Sequence, residues 1–162
     1  MGGALQIARR AHIERARVDV RQPLAAALRA ARPAFEAAAA HLEAAEHGRP
    51  LHTTGDVDML ERLFLNLLLN AAEALSPGGS ARVEAALEDR EVVVRISDDG
   101  CGVPPARLRR VFEPFFTTRE DGTGLGLPVA RRIARVHGGE VTLESAAGAG
   151  TTVSVRLPWA EV

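Results

Sequence analysis

Asn66-Leu67-Leu68-Leu69-Asn70-Ala71-Ala72-Glu73-Ala74 places amide side chains beside the buried stripe of an apolar helix. Leu60, Leu63, Phe64, Leu67, Ala71 and Ala74 recur at the i, i+3, i+4, i+7 spacing of a helix that faces a core. At about 100° per residue, Asn66, Asn70 and Glu73 fall together on a neighbouring stripe. An amide there hydrogen-bonds and coordinates without carrying charge. Two helix asparagines are by themselves most often a cap or a surface pair, so their meaning depends on the loops downstream in the chain. Asp56 is placed to cap this helix, and Ser76-Pro77-Gly78-Gly79 stops it after Leu75.

The 162 residues suit one domain with an ordinary core, and 46% hydrophobic with 25% charged residues is the balance of a soluble globular chain. A net charge of −1, with arginines spread rather than blocked, gives no basic field for nucleic acid or an anionic membrane. The one cysteine, Cys101, excludes an internal disulfide and suits a reducing compartment. No apolar run reaches the roughly 20 residues that span a bilayer, and no signal-peptide core is present.

Residues 1–17 read as a short polar helix with Leu5, Ala8, His12 and Arg15 on one side. Val18-Asp19-Val20 is a brief strand. Residues 23–39 are an alanine-rich helix in which Pro33 predicts a kink or break. Residues 41–46 and 51–54 read as a hairpin-like pair of short strands. After the asparagine helix come strands at 81–87 and 92–96 joined by Glu88-Asp89-Arg90, then a short helix at about 105–111. Residues 112–123 have no period and read as a loop. A helix at about 125–137 ends at Gly138-Gly139, and strands at 140–145 and 151–157 close the chain. The order predicts a two-layer α/β (α+β) sandwich: a mixed, mostly antiparallel sheet of about five strands, covered on one face by about three helices.

Three glycine-bearing loops come after the asparagine helix. In Asp98-Asp99-Gly100-Cys101-Gly102, a carboxylate at a strand end can accept from an amino group while glycines let backbone approach a flat ligand. Gly122-Thr123-Gly124-Leu125-Gly126-Leu127 opens a helix, where freed backbone N–H groups form an anion cradle. A charged loop precedes it rather than a strand, which excludes a Rossmann turn, and no Gly-Lys-Ser/Thr is present for a Walker A loop. Gly148-Ala149-Gly150-Thr151-Thr152 is a tight turn into a strand whose first hydroxyl can reach a ligand. Each loop taken alone is most often only a turn.

Together they resemble a known family. Asn66 to Ala71 is similar to its N box, and Asp98 to Gly102 to the first glycine box. Phe112-Glu113-Pro114-Phe115-Phe116 resembles the F box, Gly122 to Leu127 the second glycine box, and Gly148 to Thr151 the third. All stand in the family's order over about 18–158. The family is the ATP-binding catalytic domain of bacterial sensor histidine kinases, nitrogen-regulation-like in wording, within the Bergerat or GHKL ATPases that include gyrase and the mismatch-repair ATPases. The resemblance implies ATP and Mg²⁺ as cofactors, with Asn70 as the metal ligand and Asn66 assisting on the phosphate side. Asp98 would accept from the adenine amino group, with Gly100, Gly102 and Thr151 around it. The amides of Gly122, Gly124, Leu125, Gly126 and Leu127 would hold phosphates. Residues 112–123 would form a lid on which Arg119 is either a γ-phosphate cation or a solvated arginine.

The hydrolytic relatives carry a glutamate where this chain has Asn66, which points to phosphoryl transfer rather than hydrolysis. The acceptor would be a histidine on a dimerisation domain of the same kinase, with a response regulator as an indirect partner, no nucleic acid and no membrane contact by this fragment. His12-Ile13-Glu14-Arg15 lacks the acceptor pattern. Residues 1–17 are therefore expected to be the tail of a dimerisation helix or a linker, and 18–162 the catalytic domain, cytoplasmic even if a longer protein is membrane-anchored. The alternative is a stand-alone ATP-binding regulatory module, like the anti-sigma-factor serine kinases.

Overall fold

The computed structural model describes residues 13–45, 47–116 and 124–161. In chain order its elements are β1 (Ala16–Asp19), α1 (Arg21–Ala37), β2 (His41–Ala44), β3 (His52–Gly55), α2 (Val57–Ala74), β4 (Ser80–Glu88) and β5 (Glu91–Asp98). They continue with α3 (Pro105–Leu108), α4 (Gly126–Val136), β6 (Glu140–Ser145) and β7 (Thr151–Pro158). Five strands form one sheet in the order β2-β4-β5-β7-β6, and β1 and β3 form a separate antiparallel pair. Only β2 and β4 run parallel in the large sheet.

Alternation sets the faces. In β7, Thr151, Val153, Val155 and Leu157 are buried, and the residues between them are not. Val92, Val94 and Ile96 of β5 join them in the core beneath the helices. The other face carries ion pairs, Arg95 to Glu88 at 2.6 Å and Arg156 to Glu91 at 3.1 Å. α2 packs against both α1 and α4 and over β5. It contributes Leu60, Leu63, Phe64, Leu67 and Leu68, each at most 1% exposed. The Asp56 carboxylate caps it, accepting from the N–H groups of Asp58 and Met59 at 3.0 and 3.1 Å. The expected sandwich, mostly antiparallel and helix-covered, is the observed one.

Local expectations differ from the structure at three places. Residues 13–17 are not helical: Ala16 and Arg17 open β1, whose Val18 is buried opposite Thr53. Leu5, Ala8 and His12 lie outside the described residues. Residues 41–44 and 52–55 do not pair with each other, because β2 joins β4 and β3 joins β1. The Asp19 carboxylate anchors that arrangement by accepting from the N–H groups of Leu51 and Arg21, and Arg21 also donates to the His47 carbonyl. Burial opposes ionisation of Asp19, but the Arg21 guanidinium and the N–H groups of Leu51 and Arg21 together outweigh it and hold its carboxyl below the usual range. Third, of the kink or break expected at Pro33, the break does not occur: α1 continues from Arg21 to Ala37. Pro33 and Arg29 are both exposed, so the Arg29 carbonyl that loses its amide partner faces water. Among the described residues no helix is long and apolar enough to cross a membrane.

One buried contact joins the ends of two helices. His137, 5% exposed, caps α4 and donates from Nδ1 to the Ile133 carbonyl at 2.7 Å. Its Nε2 accepts from the N–H of Asp56 at 3.0 Å, just before α2. Those two bonds define a neutral imidazole. The ring lies where a side chain on residue 55 would be: a Cβ on Gly55 would come within 2.3 Å of His137 Cδ2. Gly55→Ala should therefore destabilise the fold by about 1–3 kcal/mol and lower Tm by several degrees in calorimetry. The loss should shrink in a His137→Ala background, where the clash partner is gone.

Candidate functional site

The amide stripe of α2 lines one wall of a cavity of about 530 Å³, within the size range of small-molecule sites. Arg62, Asn66, Leu69, Asn70, Glu73 and Ala74 succeed one another along that wall. Their spacing is that of a single helix face. Asn66 and Asn70 are half-buried, and among the described residues neither amide is hydrogen-bonded, so both are available to a ligand. Asp98, Cys101 and Gly102 form one end of the cavity, and Thr151 and Leu143 lie beside them. The start of α4 supplies the opposite wall with Gly124, Leu125, Gly126 and Leu127.

Sheet register builds the closed end. Ala81, Asp98, Thr151 and Ser145 stand in one row across β4, β5, β7 and β6. The Asp98 carboxylate accepts from the Gly100 N–H at 2.9 Å and from the Thr151 N–H. Burial holds its carboxyl above the usual range, partly offset by those two bonds, and neighbouring Asp99 adds to the rise. Two glycines make this corner possible. Gly102 has φ +69° and a Cβ on it would sit 1.9 Å from the Ala146 carbonyl oxygen. Gly150 has φ +79° and a Cβ there would sit 2.0 Å from the Asp98 carbonyl oxygen. The two loops thus touch backbone to backbone. Ser145 locks them: its Oγ accepts from the Val103 N–H at 2.8 Å and donates to the Gly150 carbonyl at 2.8 Å, which leaves Thr151 to donate to Ser145. Gly100, named with the pocket from the sequence, packs against the Ala74 carbonyl instead of lining the cavity.

The other end is a helix N-terminus. Among the described residues no side chain caps α4, and its first N–H groups belong to Gly126 and Leu127; Pro128, next in the chain, has none. Such groups favour an anion. Among the described residues, a Cβ on Gly126 would meet only the Asn66 carbonyl oxygen, at 3.9 Å. Protein packing therefore does not require glycine there, and the absent side chain leaves room for a ligand. Around this end, Phe116 lies under Arg110 at 4.5 Å and Phe112 under Arg131 at 4.6 Å. Phe115 is 75% exposed at φ +66°, its N–H donating to the Gly124 carbonyl. Arg119 and Gly122 lie outside the described residues.

The structure thus gathers Asn66, Asn70, Asp98, Gly102, Gly124, Leu125, Gly126, Leu127 and Thr151 around one space. Sequence reasoning missed Arg62 and Ser145 and set Glu73 aside. Arg62 was findable, being one more i−4 step along the amide stripe. Ser145 was not, because its role exists only through strand register. No group of three or more His, Cys, Asp or Glu among the described residues is placed to hold a metal ion.

Known proteins resemble this chain in sequence and in fold. A family model described as histidine kinase-, DNA gyrase B-, and HSP90-like ATPase matches residues 55–161. The chain is 39% identical over 104 residues, 64% of its length, to sporulation kinase C of Bacillus subtilis. It is 36% identical over 156 residues, 93% of its length, to histidine protein kinase DivJ of Caulobacter vibrioides. It spans 24% and 26% of those two proteins. The mycobacterial sensor histidine kinase MprB superposes with a TM-score of 0.81 at 29% identity, over 91% of this chain and 99% of that one.

The Asp98 carboxyl has a testable signature. Because its folded-state value is raised, the native protein keeps a proton that the unfolded chain has released. Its contribution is therefore present below the unfolded value and lost as pH rises through the folded one. Asp98→Asn should remove that pH-dependent loss, seen as a flatter stability profile in urea titrations as pH rises from the ordinary carboxylate range.

Proposed function

We propose, for a chain that belongs to the family of histidine kinase-, DNA gyrase B-, and HSP90-like ATPases, that the cavity seats ATP and that its terminal phosphoryl group is passed to a histidine outside this chain. The observation that carries the reading is the separation of two unlike ends along one helix. Ala74 touches the Asp98 corner, where its carbonyl accepts from the Cys101 N–H, and Asn66 faces the uncapped start of α4. Eight residues of helix put these about 12 Å apart. A carboxylate and buried glycines at one end suit an exocyclic amino group on a flat base. Uncapped backbone donors at the other suit phosphates.

The donor set fits a magnesium ion held mainly by phosphate. Asn66 and Asn70 offer neutral amide oxygens between the two ends, and Mg²⁺ at such sites takes one or two protein oxygens, with waters and phosphates completing the shell. Asn70 is the proposed ligand, and the bound ion would neutralise charge on the phosphates. Asn66 stands where an acid would activate water, and an amide cannot take a proton from it. That favours a nitrogen nucleophile: an imidazole nitrogen bonds to the γ-phosphorus as the bond to the β–γ bridging oxygen breaks, leaving ADP.

The histidine is proposed to lie on a dimerisation domain of the same kinase, with a response regulator receiving the phosphoryl group next. Activity of this kind requires the cytoplasmic side, where ATP is. The named relatives favour this over the stand-alone regulatory module, since both curated ones are kinases and DivJ is a histidine protein kinase. Calorimetric titration with a non-hydrolysable ATP analogue, with and without Mg²⁺, tests the reading. Mg²⁺ should strengthen binding, and Asn70→Ala should abolish that gain while leaving the thermal midpoint in place. Mg²⁺-independent affinity, or no binding at millimolar nucleotide, would remove the assignment.

A further inference from the structure

We infer that Arg62 contacts the terminal phosphoryl group and makes the site prefer a nucleoside triphosphate over a diphosphate, an inference that rests on the nucleotide reading above. Arg62 lies on α2 one turn before Asn66, on the same stripe, and lines the cavity. It is the one cation among the described lining residues, in a space that would hold a polyanion. Asp98 and Glu73, the acids among the described lining residues, lie towards the other end of the cavity. Glu73 is 11 positions along the helix, about 16 Å away, too far to neutralise it.

Arg62 is also uncommitted. It is exposed, and among the described residues it makes no ion pair or hydrogen bond, although Asp58 stands at the i−4 position where a helix pair could form. A guanidinium held on a rigid helix presents paired N–H donors that match phosphate oxygens. Its place is set by distance. Asn70, Asn66 and Arg62 stand about 6, 12 and 18 Å along the helix from Ala74 at the Asp98 end. The side chain therefore reaches phosphate from beyond the Asn66 level, where only the last group of a triphosphate arrives. Adenine and the inner phosphates lie out of its range.

The test compares a β,γ-non-hydrolysable ATP analogue with ADP, both with Mg²⁺, by calorimetry on wild type, Arg62→Gln and Arg62→Lys. Arg62→Gln should weaken the triphosphate about tenfold or more and leave ADP within about twofold. Arg62→Lys should fall between, since it keeps the charge and loses the fork. Thermal midpoints should match wild type, as the side chain is exposed; if Arg62→Gln does not fold, Arg62→Lys against wild type carries the comparison. Equal weakening of both nucleotides, or an unchanged triphosphate affinity, overturns the role of Arg62 alone. Failure of wild type to bind either nucleotide overturns the site reading and this inference with it.

Discussion

Burial of one face of α2 fixes how that helix is rotated about its axis, and the site depends on that rotation. Leu60, Leu63, Phe64, Leu67 and Leu68 are withdrawn from water between α1, α4 and β5. Fully burying a side chain of this size contributes about 1.5–3 kcal/mol relative to exposure. A turn of the helix by one residue, about 100°, would carry Asn66 or Asn70 into that apolar contact and bring leucines into the cavity. The asparagines are thus aimed by their neighbours and need no hydrogen bonds to hold them. That leaves their amides unspent.

The two ends of the cavity are held by different physics. At the Asp98 end the placement is backbone work: register sets Asp98 opposite Thr151, and close-packed glycine loops and the Ser145 hydroxyl prevent the corner from opening. The carboxylate accepts a desolvated position because two N–H groups meet it. At the α4 end no comparable lock is present among the described residues: no described side chain caps the helix start, and the Phe115 N–H donates to the Gly124 carbonyl. The His137 imidazole holds the far end of α4 to the start of α2.

Much of this was legible locally. The periodicity of α2, its Asp56 cap, the β4–β5 hairpin with Asp89 and Arg90 in the left-handed region at its turn, and the Gly138 stop after α4 all depend on residues a few positions apart. The glycine boxes were legible as well, because close backbone approach demands glycine at positions such as 102 and 150. What failed were pairings between distant segments. Nothing near residues 41–44 says that they will lie parallel to β4, and nothing near 52–55 says that β1 is their partner. Strands of four residues carry too little pattern to choose among edges. Pro33 does not end its helix, because the cost of the orphaned carbonyl depends on whether it meets water, which is a property of the packed helix.

The sequence by itself determined the elements and the chemical types at the site: two helix amides, an acid at a strand end, glycines where backbone must pass close, and the absence of a carboxylate at position 66. Only the tertiary structure decided which of these face one another. Asp98 and Asn70 share a cavity, Gly100 does not, Ser145 belongs to the corner, and Arg62 stands at the far end of the same wall. The physical reason is that composition and spacing act through bonds along the chain, whereas a site is a set of distances across it. Those distances appear only when sheet register and the buried face of α2 have been chosen together.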